Sequence, residues 1–370
     1  MSGPARNRLP RAGTRGNRAA QVPGVSVVVP VYDVAGFLPD CLNSILASPL
    51  ADLEVIAVDD ASPDSSGTIL DQRAAADPRL RVVHLDRNGG QGNARNLGLE
   101  IARGDYVWFV DGDDSLVPGA LTAVAAALAA GQPDVLLIDW VSSYPGGRTE
   151  PNPGSALLGG VPPEGCTLEE QPWLINLTMT SWSKLFRADF LRGLGVSFAG
   201  GIHEDIGVTC AALLSARMIG AVGQVCYRYR RERAGSAMAT TSPRQLAVFE
   251  SYRRVFELLD RRAADGHPVS DALRAAIFER AIWHYTTVLQ TTGPGIGRIG
   301  LPGLVPRAER HSFFRRMHED FARYRPAGYQ QPPGARGAKL RLVERNAYWT
   351  YSLLEPLNQA RVALRRLARN

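Results

Sequence analysis

Five short β-branched runs alternate with segments of helical spacing between Val25 and Ile138, and this narrows the possible folds more than any other feature. The runs occupy 25–29, 53–58, 81–85, 106–110 and 135–138. In the first connection Phe37, Leu38, Cys41, Leu42 and Ile45 recur on one helical face. The fourth connection, 118–131, is Ala-rich, with Pro118 at its start and Gly131 expected just past its end. Strands this apolar, separated by helices, predict a mostly parallel sheet covered on both faces. Ligands of such sheets bind beyond the carboxyl ends of the strands. Here those ends read Pro30-Val-Tyr-Asp33, Asp59-Asp60-Ala-Ser-Pro-Asp64, Asp86-Arg-Asn-Gly-Gly-Gln-Gly92 and Asp111-Gly-Asp-Asp114, so polar and acidic groups collect along one rim.

The sharpest of these ends is Asp111-Gly-Asp-Asp114, which follows directly on Tyr-Val-Trp-Phe-Val. Three carboxylates within four residues repel one another unless a cation lies between them. Hard oxygen ligands suit Mg²⁺ or Mn²⁺, above all when a diphosphate shares the ion. A solvated acidic turn is the bland alternative; the buried strand before it and the three other polar strand ends favour metal binding.

After this half the patterning loosens. Residues 141–172 are rich in Gly, Pro and Ser and are expected to form a long loop, and 173–191 to be helical. An irregular segment then ends in His203-Glu-Asp205, a further helix runs to about Arg217, and 219–231 alternates as a strand or hairpin. Beyond Ser242, Leu246, Phe249, Tyr252, Val255, Phe256 and Leu259 line one helical face, and 291–303 is a Gly-rich break. The expected organisation is a basic, disordered tail (1–23), an α/β domain (24–235, with halves 24–140 and 141–235) and a helical C-terminal region (236–370).

Charge and cysteine content limit the setting. The four cysteines are widely spaced with no CxxC pair, which predicts reduced thiols and gives no zinc signature. Five arginines and no acid occupy the first twenty residues without the apolar core of a secretory signal, so the expected location is cytoplasmic. The formal net charge of +6 gathers at the two ends. The stretch 348–370 sets Leu353, Leu354, Leu357, Val362 and Leu367 among Arg361, Arg365, Arg366 and Arg369, a pattern open to peripheral contact with an anionic membrane or to packing with a solvated basic face. No motif for nucleic acid accompanies the charge, so no nucleic-acid partner is expected.

Four motifs in this order resemble the N-terminal half of family 2 glycosyltransferases. They are Val25-Ser-Val-Val-Val-Pro-Val-Tyr-Asp33, Val58-Asp-Asp-Ala-Ser-Pro-Asp-Ser-Ser66, Asn88-Gly-Gly-Gln-Gly-Asn-Ala-Arg-Asn-Leu-Gly98 and Asp111-Gly-Asp-Asp114. The resemblance implies the GT-A fold, a mixed Rossmann-like sheet with helices on both faces. It also implies a divalent metal and inverting transfer of a sugar from a nucleotide-sugar, UDP-sugar foremost, to an acceptor hydroxyl. By position, Pro30 and Tyr32 would border the base, although Asp33 stands where the family often has Asn. Asp60 would receive base or ribose, with Asp59 a structural neighbour. Arg95 and Asn96 would face base or diphosphate. Asp113 would ligate the metal, and Asp111 would reach ribose or metal.

An inverting transfer needs a base for the acceptor proton, and a carboxylate within hydrogen-bond reach is the usual solution. Similar enzymes carry an acidic motif at a helix start at about the distance of His203-Glu-Asp205 from Asp113, which nominates Asp205 first and Glu204 second. Helix capping is the alternative reading of these acids. A second His-Glu-Asp at 318–320 lies in an Arg-rich helical context and receives no role. Trp182-Ser-Lys184-Leu-Phe186 resembles a Trp-x-Lys-Leu segment of such transferases, with Lys184 a donor or acceptor contact and Trp182 and Phe186 core. Arg230, Arg233 and Ser236, in the run that follows Tyr227, are candidates to neutralise the leaving diphosphate.

The last sixty residues, with Tyr324-Arg-Pro and Leu342-Val-Glu-Arg-Asn-Ala-Tyr-Trp, are similar to transferases of actinobacterial cell-wall polymer assembly. This points to a polysaccharide, teichoic-acid-like or lipid-linked acceptor. Three other classes were weighed. Gly90-Gln-Gly92-Asn-Ala-Arg95 follows a strand as a dinucleotide loop would, but Arg95 stands where helix–strand packing needs Gly or Ala. A sugar-1-phosphate nucleotidyltransferase would hold its triphosphate on a basic Gly-rich loop after the first strand, and Val31-Tyr-Asp-Val-Ala-Gly-Phe37 has no basic residue. A non-catalytic scaffold would not need the acidic rim.

Overall fold

Seven residues buried on both sides of the backbone satisfy their polar groups only inside a sheet, and β1 (Val25–Val31) does so near its centre. It pairs in parallel with β2 (Leu53–Asp59) on one side and β4 (Tyr106–Phe109) on the other, and β3 (Leu80–His84) lies beyond β2. The computed structural model describes residues 24–231, 241–289 and 304–354. The tail 1–23, Arg233, Ser236, the break 291–303 and the basic stretch 355–370 therefore lie outside the described residues.

Successive residues of β1 feed opposite cores, as the two-residue strand period requires. Val27 and Val29 pack with α1 (Leu38–Leu46), α2 (Ser66–Ala76) and α4 (Ala120–Gly131), while Val28 packs on the face that carries α3 (Gln91–Ile101). Gly98 is what allows α3 so close: a Cβ there would stand 2.2 Å from Val28 Cγ1. At α4 the helix runs through Gly131 instead of stopping before it, and Gln132 takes the left-handed turn (φ 47°) that ends it.

The second half turns the mostly parallel sheet read from the strand runs into the mixed sheet that the resemblance implies. β6 (Val135–Ser143) does not lie beside β4; β8 (Lys184–Arg187) is inserted between them, antiparallel to both. β9 (Ile219–Arg230) runs parallel to β6 with an irregularity at Asp139, and β5 (Ser115–Leu116) and β7 (Thr149–Pro151) add short antiparallel edges. The order is β3-β2-β1-β4-β8-β6-β9-β5, with β7 also on β6, so the sheet is mixed.

Segment 173–191 is accordingly not a helix. It holds a 3-10 turn (Pro172–Asn176), an irregular stretch, β8 and the short α6 (Ala188–Gly193). Ser183 Oγ donates to the carbonyls of Thr180 and Thr178 at 3.0 and 3.4 Å, and such local bonds compete with helical ones. The loop expected at 141–172 in fact completes the β6–β7 hairpin and includes α5 (Ser155–Leu158).

Past the sheet come α7 (Asp205–Ser215), α8 (Ala247–Ala264), α9 (Asp271–Leu289), α10 (Arg310–Tyr324) and α11 (Gly334–Glu344). The apolar core on the α3 face continues without a break from Val28 and Phe109 through Ile206 to Phe249, Phe278 and Phe313. The second His-Glu-Asp serves this packing. Asp320 accepts from Tyr285 Oη at 2.8 Å, and His318 Nδ1 meets the Val343 carbonyl at 3.1 Å. All four cysteines are free and buried. Among the described residues no helix is long and apolar enough to cross a membrane.

Candidate active site

The four strand ends meet at one rim. Pro30 is tolerated within a central strand because pairing with β4 ends at Val28–Phe109, so its missing N–H leaves no gap in the ladder. Pro30 is buried, and Tyr32 just beyond it is exposed. Asp33 and Ala61, directly after β1 and β2, take φ of 53° and 57°. Left-handed turns at residues with a Cβ cost about 1–2 kcal/mol each and gather where a site demands a particular shape.

Asp59 and Asp60 divide their work. Asp59 accepts from Ser62 N at 3.0 Å and meets His84 Nδ1 at 2.9 Å, a contact that, with Asp71, raises the His84 pKa. Asp60 is buried and accepts from the main-chain N–H of Gly89 and of Gly90, both at 2.7 Å, one on each oxygen. It thus fixes the loop that enters α3.

On α3, Gly92 lets the first turn press on the chain at 198–199, where a Cβ would meet the Ala199 carbonyl at 2.2 Å. Asn96, expected to face base or diphosphate, completes that junction. Its amide donates to Phe198 O at 3.0 Å and accepts from Phe198 N at 2.9 Å, so it serves as a clip. Arg95 is also turned inward, only 2 % exposed. Its Nη1 donates to Glu204 Oε1 at 2.5 Å and its Nη2 to Asp111 Oδ1 at 2.8 Å, with the Phe198 ring 5.5 Å from the guanidinium. Burial alone would lower the Arg95 pKa, but the carboxylates of Asp111 and Glu204 raise it overall. Gln91 Nε2 also donates to Asp111 Oδ1, at 2.7 Å.

The acidic turn after β4 is pinned from β9. Tyr227 Oη donates to Asp114 Oδ2 at 2.7 Å and accepts from Asp111 N at 3.2 Å, and Arg230 N donates to Asp114 Oδ1 at 2.7 Å. Burial, with Asp113 and Asp111 close by, pushes the Asp114 pKa well up. Asp114 is therefore the buried anchor of the turn, while Asp113 and Asp111 are only partly covered. The Arg230 side chain donates through Nε to the Asp113 carbonyl at 2.8 Å and lies 4.9 Å over the Phe37 ring. Trp182 supports Tyr227 by stacking at 4.6 Å between ring centroids.

The carboxylates of the His-Glu-Asp motif sit at the start of α7, where the helix dipole favours negative charge. Asp205 Oδ2 accepts from Ser181 N at 3.2 Å. Burial, strengthened by Asp205 and opposed by Arg95, raises the Glu204 pKa to about 7. Burial likewise raises that of Asp205, again against Arg95.

Lys184, expected as a donor or acceptor contact, bonds within its own loop. It is 1 % exposed, and its Nζ donates to Thr178 O (2.6 Å), Ser183 Oγ (3.0 Å) and Thr180 O (3.1 Å). Burial lowers its pKa to about 7 in spite of the nearby Asp205. Its place is beneath the loop that supplies Ser181 to Asp205.

The fold therefore joins Arg95, Asp111 and Glu204 in one chain of contacts and sets Asp205 beside it, from segments more than a hundred residues apart. Asn96 and Lys184 make their protein contacts with main-chain groups and a hydroxyl of the scaffold. Sequence reasoning missed Gln91, Tyr227 and Ser181. Only Gln91, inside the Gly-rich motif, carried a local signal.

The chemistry of the donor set suits a divalent cation. Among the described residues no three His, Cys, Asp or Glu side chains converge as a preformed cage. The contacts that the Asp111 carboxylate makes with Gln91 and Arg95 both fall on Oδ1. Two partly covered carboxylates beside a diphosphate are a sufficient set for Mg²⁺ or Mn²⁺, which are commonly held by one or two carboxylates and substrate phosphates. The residues fit.

Comparison with known proteins agrees with this geometry. Residues 26–194 match the family model described as glycosyl transferase family 2. The uncharacterized glycosyltransferase EpsJ of Bacillus subtilis is 48% identical over 93 residues, 25% of this chain and 27% of that protein. The poly(ribitol-phosphate) beta-N-acetylglucosaminyltransferase TarS of Staphylococcus aureus is 29% identical over 248 residues, 65% of this chain and 42% of its own. The matched stretches thus span well under two thirds of either relative. The crystal structure of TarS 1–349 with UDP-GlcNAc superimposes with TM-score 0.69 at 22% identity, covering 91% of this chain and 92% of that one. A mannosyltransferase from Pyrobaculum calidifontis, solved with GDP-Man and Mn²⁺, gives TM-score 0.51 at 18% identity over 92% of this chain and 86% of its own. The fold is GT-A.

Proposed function

We propose that the chain, whose residues 26–194 match the model of glycosyl transferase family 2, acts as a transferase of that family and moves a sugar with inversion from a UDP-sugar to a hydroxyl of a cell-surface polymer. The observation that carries this reading is the contact chain Asp111–Arg95–Glu204, with Asp205 next in sequence, because it couples a donor-side acid to a carboxylate pair placed at a helix start.

In this reading Tyr32 and Pro30 border the base, and Asp60 shapes the nucleotide site through the loop it holds. Asp113 and Asp111 hold Mn²⁺ or Mg²⁺, which when bound neutralises diphosphate charge. Arg230 keeps the Asp113 main chain in place beside it, and Arg233 and Ser236 follow in sequence as further diphosphate contacts. Asp205 takes the acceptor proton as the acceptor oxygen attacks the anomeric carbon, and Glu204 is the second candidate. A carboxylate with a raised pKa accepts a proton more readily, which suits a base working near neutral pH.

UDP as the nucleotide is supported by the UDP-GlcNAc held in the TarS crystal, and a polyol-phosphate or polysaccharide acceptor by that relative's poly(ribitol-phosphate) activity. A lipid-linked acceptor at the inner membrane face belongs to the same reading. Its support is Trp349 and Leu353, one helical turn apart and exposed by 73% and 74%, on a helix leading toward the basic 355–370 stretch.

The test is calorimetric titration with UDP, GDP, CDP and dTDP, each with and without Mn²⁺, followed by turnover of the matching nucleotide-sugars. Metal-dependent binding of UDP alone is expected, and no binding of any nucleotide would remove the transferase reading. Asp205→Asn is expected to keep UDP affinity and lower turnover by about 10² to 10⁴.

A further inference from the structure

The candidate base stands on a backbone turn that its own residues do not hold. His203, directly before Glu204, takes φ 66°, and it is buried. A left-handed residue with a side chain persists only where its surroundings over-determine it. Those surroundings come from the C-terminal helices, beyond the residues that match the family model.

Gln245, fully buried just before α8, meets His203 Nε2 through its Oε1 at 3.0 Å. Ser251 Oγ, on α8, donates to the His203 carbonyl at 2.9 Å. The ring of His284, on α9, meets the His203 ring edge-on at 5.1 Å, and its Nδ1 is 3.2 Å from Tyr252 Oη. The same helix reaches the other side of the base, where Arg280 Nη2 donates to the Leu177 carbonyl at 3.3 Å. Leu177 leads into the loop whose Ser181 N–H donates to Asp205.

We infer that Gln245 and Ser251 are positioning residues: they clamp His203 in its left-handed turn so that Glu204 meets Arg95 and Asp205 meets Ser181. The helical region therefore acts on turnover without touching the donor. The chemistry is that of a neutral network. Burial lowers the pKa of both imidazoles, so both are neutral at neutral pH, and with the Gln245 amide oxygen turned toward it His203 Nε2 is the donor of this contact. Misplacing a reacting group by about 1 Å costs up to about 100-fold in rate.

This rests on the assignment of Glu204 and Asp205 in the proposed function, and the experiment separates the two. Gln245→Leu, Ser251→Ala and Ser251→Thr in the full chain are compared with Asp205→Asn and Glu204→Gln. The readouts are amide exchange of peptides covering 198–208, Kd for UDP with Mn²⁺, and kcat and KM with UDP-GlcNAc, read as UDP release. Gln245→Leu and Ser251→Ala are expected to speed exchange in 198–208, to lower kcat by about 10- to 100-fold and to leave Kd and KM within about twofold. Ser251→Thr keeps the hydroxyl and is expected to behave as the wild type.

Unchanged exchange in 198–208 overturns the clamp, whatever the turnover. So does a Ser251→Thr loss equal to that of Ser251→Ala, which would assign the effect to packing. Faster exchange with unchanged kcat, beside an inactive Asp205→Asn, overturns the link to turnover and leaves the function reading standing. Wild-type kcat in both Asp205→Asn and Glu204→Gln sinks the carboxylate assignment itself, and the inference with it. Should Gln245→Leu fail to fold, the Ser251 pair decides the matter.

Discussion

Replacing Arg95 by Met keeps a long side chain in the core and removes the one charge that joins Asp111 to Glu204. With charge centres about 4 Å apart and an effective dielectric constant of about 20, that charge contributes about 4 kcal/mol to holding a carboxylate ionised. The same figure is about three decades in its protonation constant. In the wild type the Glu204 carboxyl is already raised to about 7 by burial and Asp205, against the pull of Arg95. Without Arg95 it stays protonated well into the alkaline range. The acid limb of kcat/KM, expected near pH 7 in the wild type, should then move up by about one to three pH units. Activity at pH 7.5 should fall by roughly 3- to 250-fold and recover in part as pH rises. The stability sign follows from the same group. A carboxyl held above its model value of 4.5 binds a proton in the folded state that the unfolded chain has lost, so stability declines between pH 4.5 and about 7 in the wild type. The Met variant extends that decline to higher pH, and breaking the buried pair costs about 3 kcal/mol where Glu204 is ionised. The assays are UDP release from pH 6 to 10 at fixed metal, and urea unfolding at the same pH values. An acid limb that stays put while the rate falls would assign Arg95 to the donor and refute the coupling; an unchanged rate at pH 7.5 would refute it more simply.

Lys184→Met removes a buried ammonium whose pKa burial lowers to about 7, while the unfolded lysine stays near 10.5. The unfolded state binds the extra proton between those values, so the wild type gains stability as pH rises from 7 toward 10.5, by a few kcal/mol in all. The Met variant should lose that slope in urea unfolding at pH 7 and 9, and parallel slopes would mean that Lys184 stays charged in the fold. Asp113→Asn should abolish the Mn²⁺ dependence of UDP binding in calorimetry while the melting temperature holds; intact Mn²⁺-dependent binding removes the metal assignment. Gly98→Ala forces a Cβ to within 2.2 Å of Val28 Cγ1 and should cost about 1–3 kcal/mol in unfolding free energy, and a neutral result would mean that α3 shifts freely on the sheet.

The parallel half of the sheet was legible because its strands are buried on both faces, and a run such as Val25–Val31 has few other places to go. β8 was not. Its four residues follow a Ser- and Thr-rich stretch, and its partners at 106–108 and 135–137 are set by distant chain, which no local window contains. The site divides along the same line. Motif spacing picked out Asp60, Arg95, Asn96, Lys184 and Glu204 as unusual residues, and unusual they are: each covers, wholly or for Asn96 in part, a charge or an amide that must be satisfied. What satisfies them is tertiary. Asp60 spends its oxygens on Gly89 and Gly90, Asn96 on Phe198, and Lys184 on two carbonyls and a hydroxyl. Arg95 and Glu204 are instead matched to each other, 109 positions apart. A buried polar residue in a motif is therefore as readily a strut as a ligand contact, and the burial of its partners decides which. At Asn96 and Lys184 the partners are mostly main-chain groups, which favours a strut. Asp111 is the opposite case, a carboxylate still 17% exposed whose contacts with Gln91 and Arg95 share a single oxygen. That asymmetry supports the ligand chemistry proposed for the acidic turn, with α3 and β8 holding it in place.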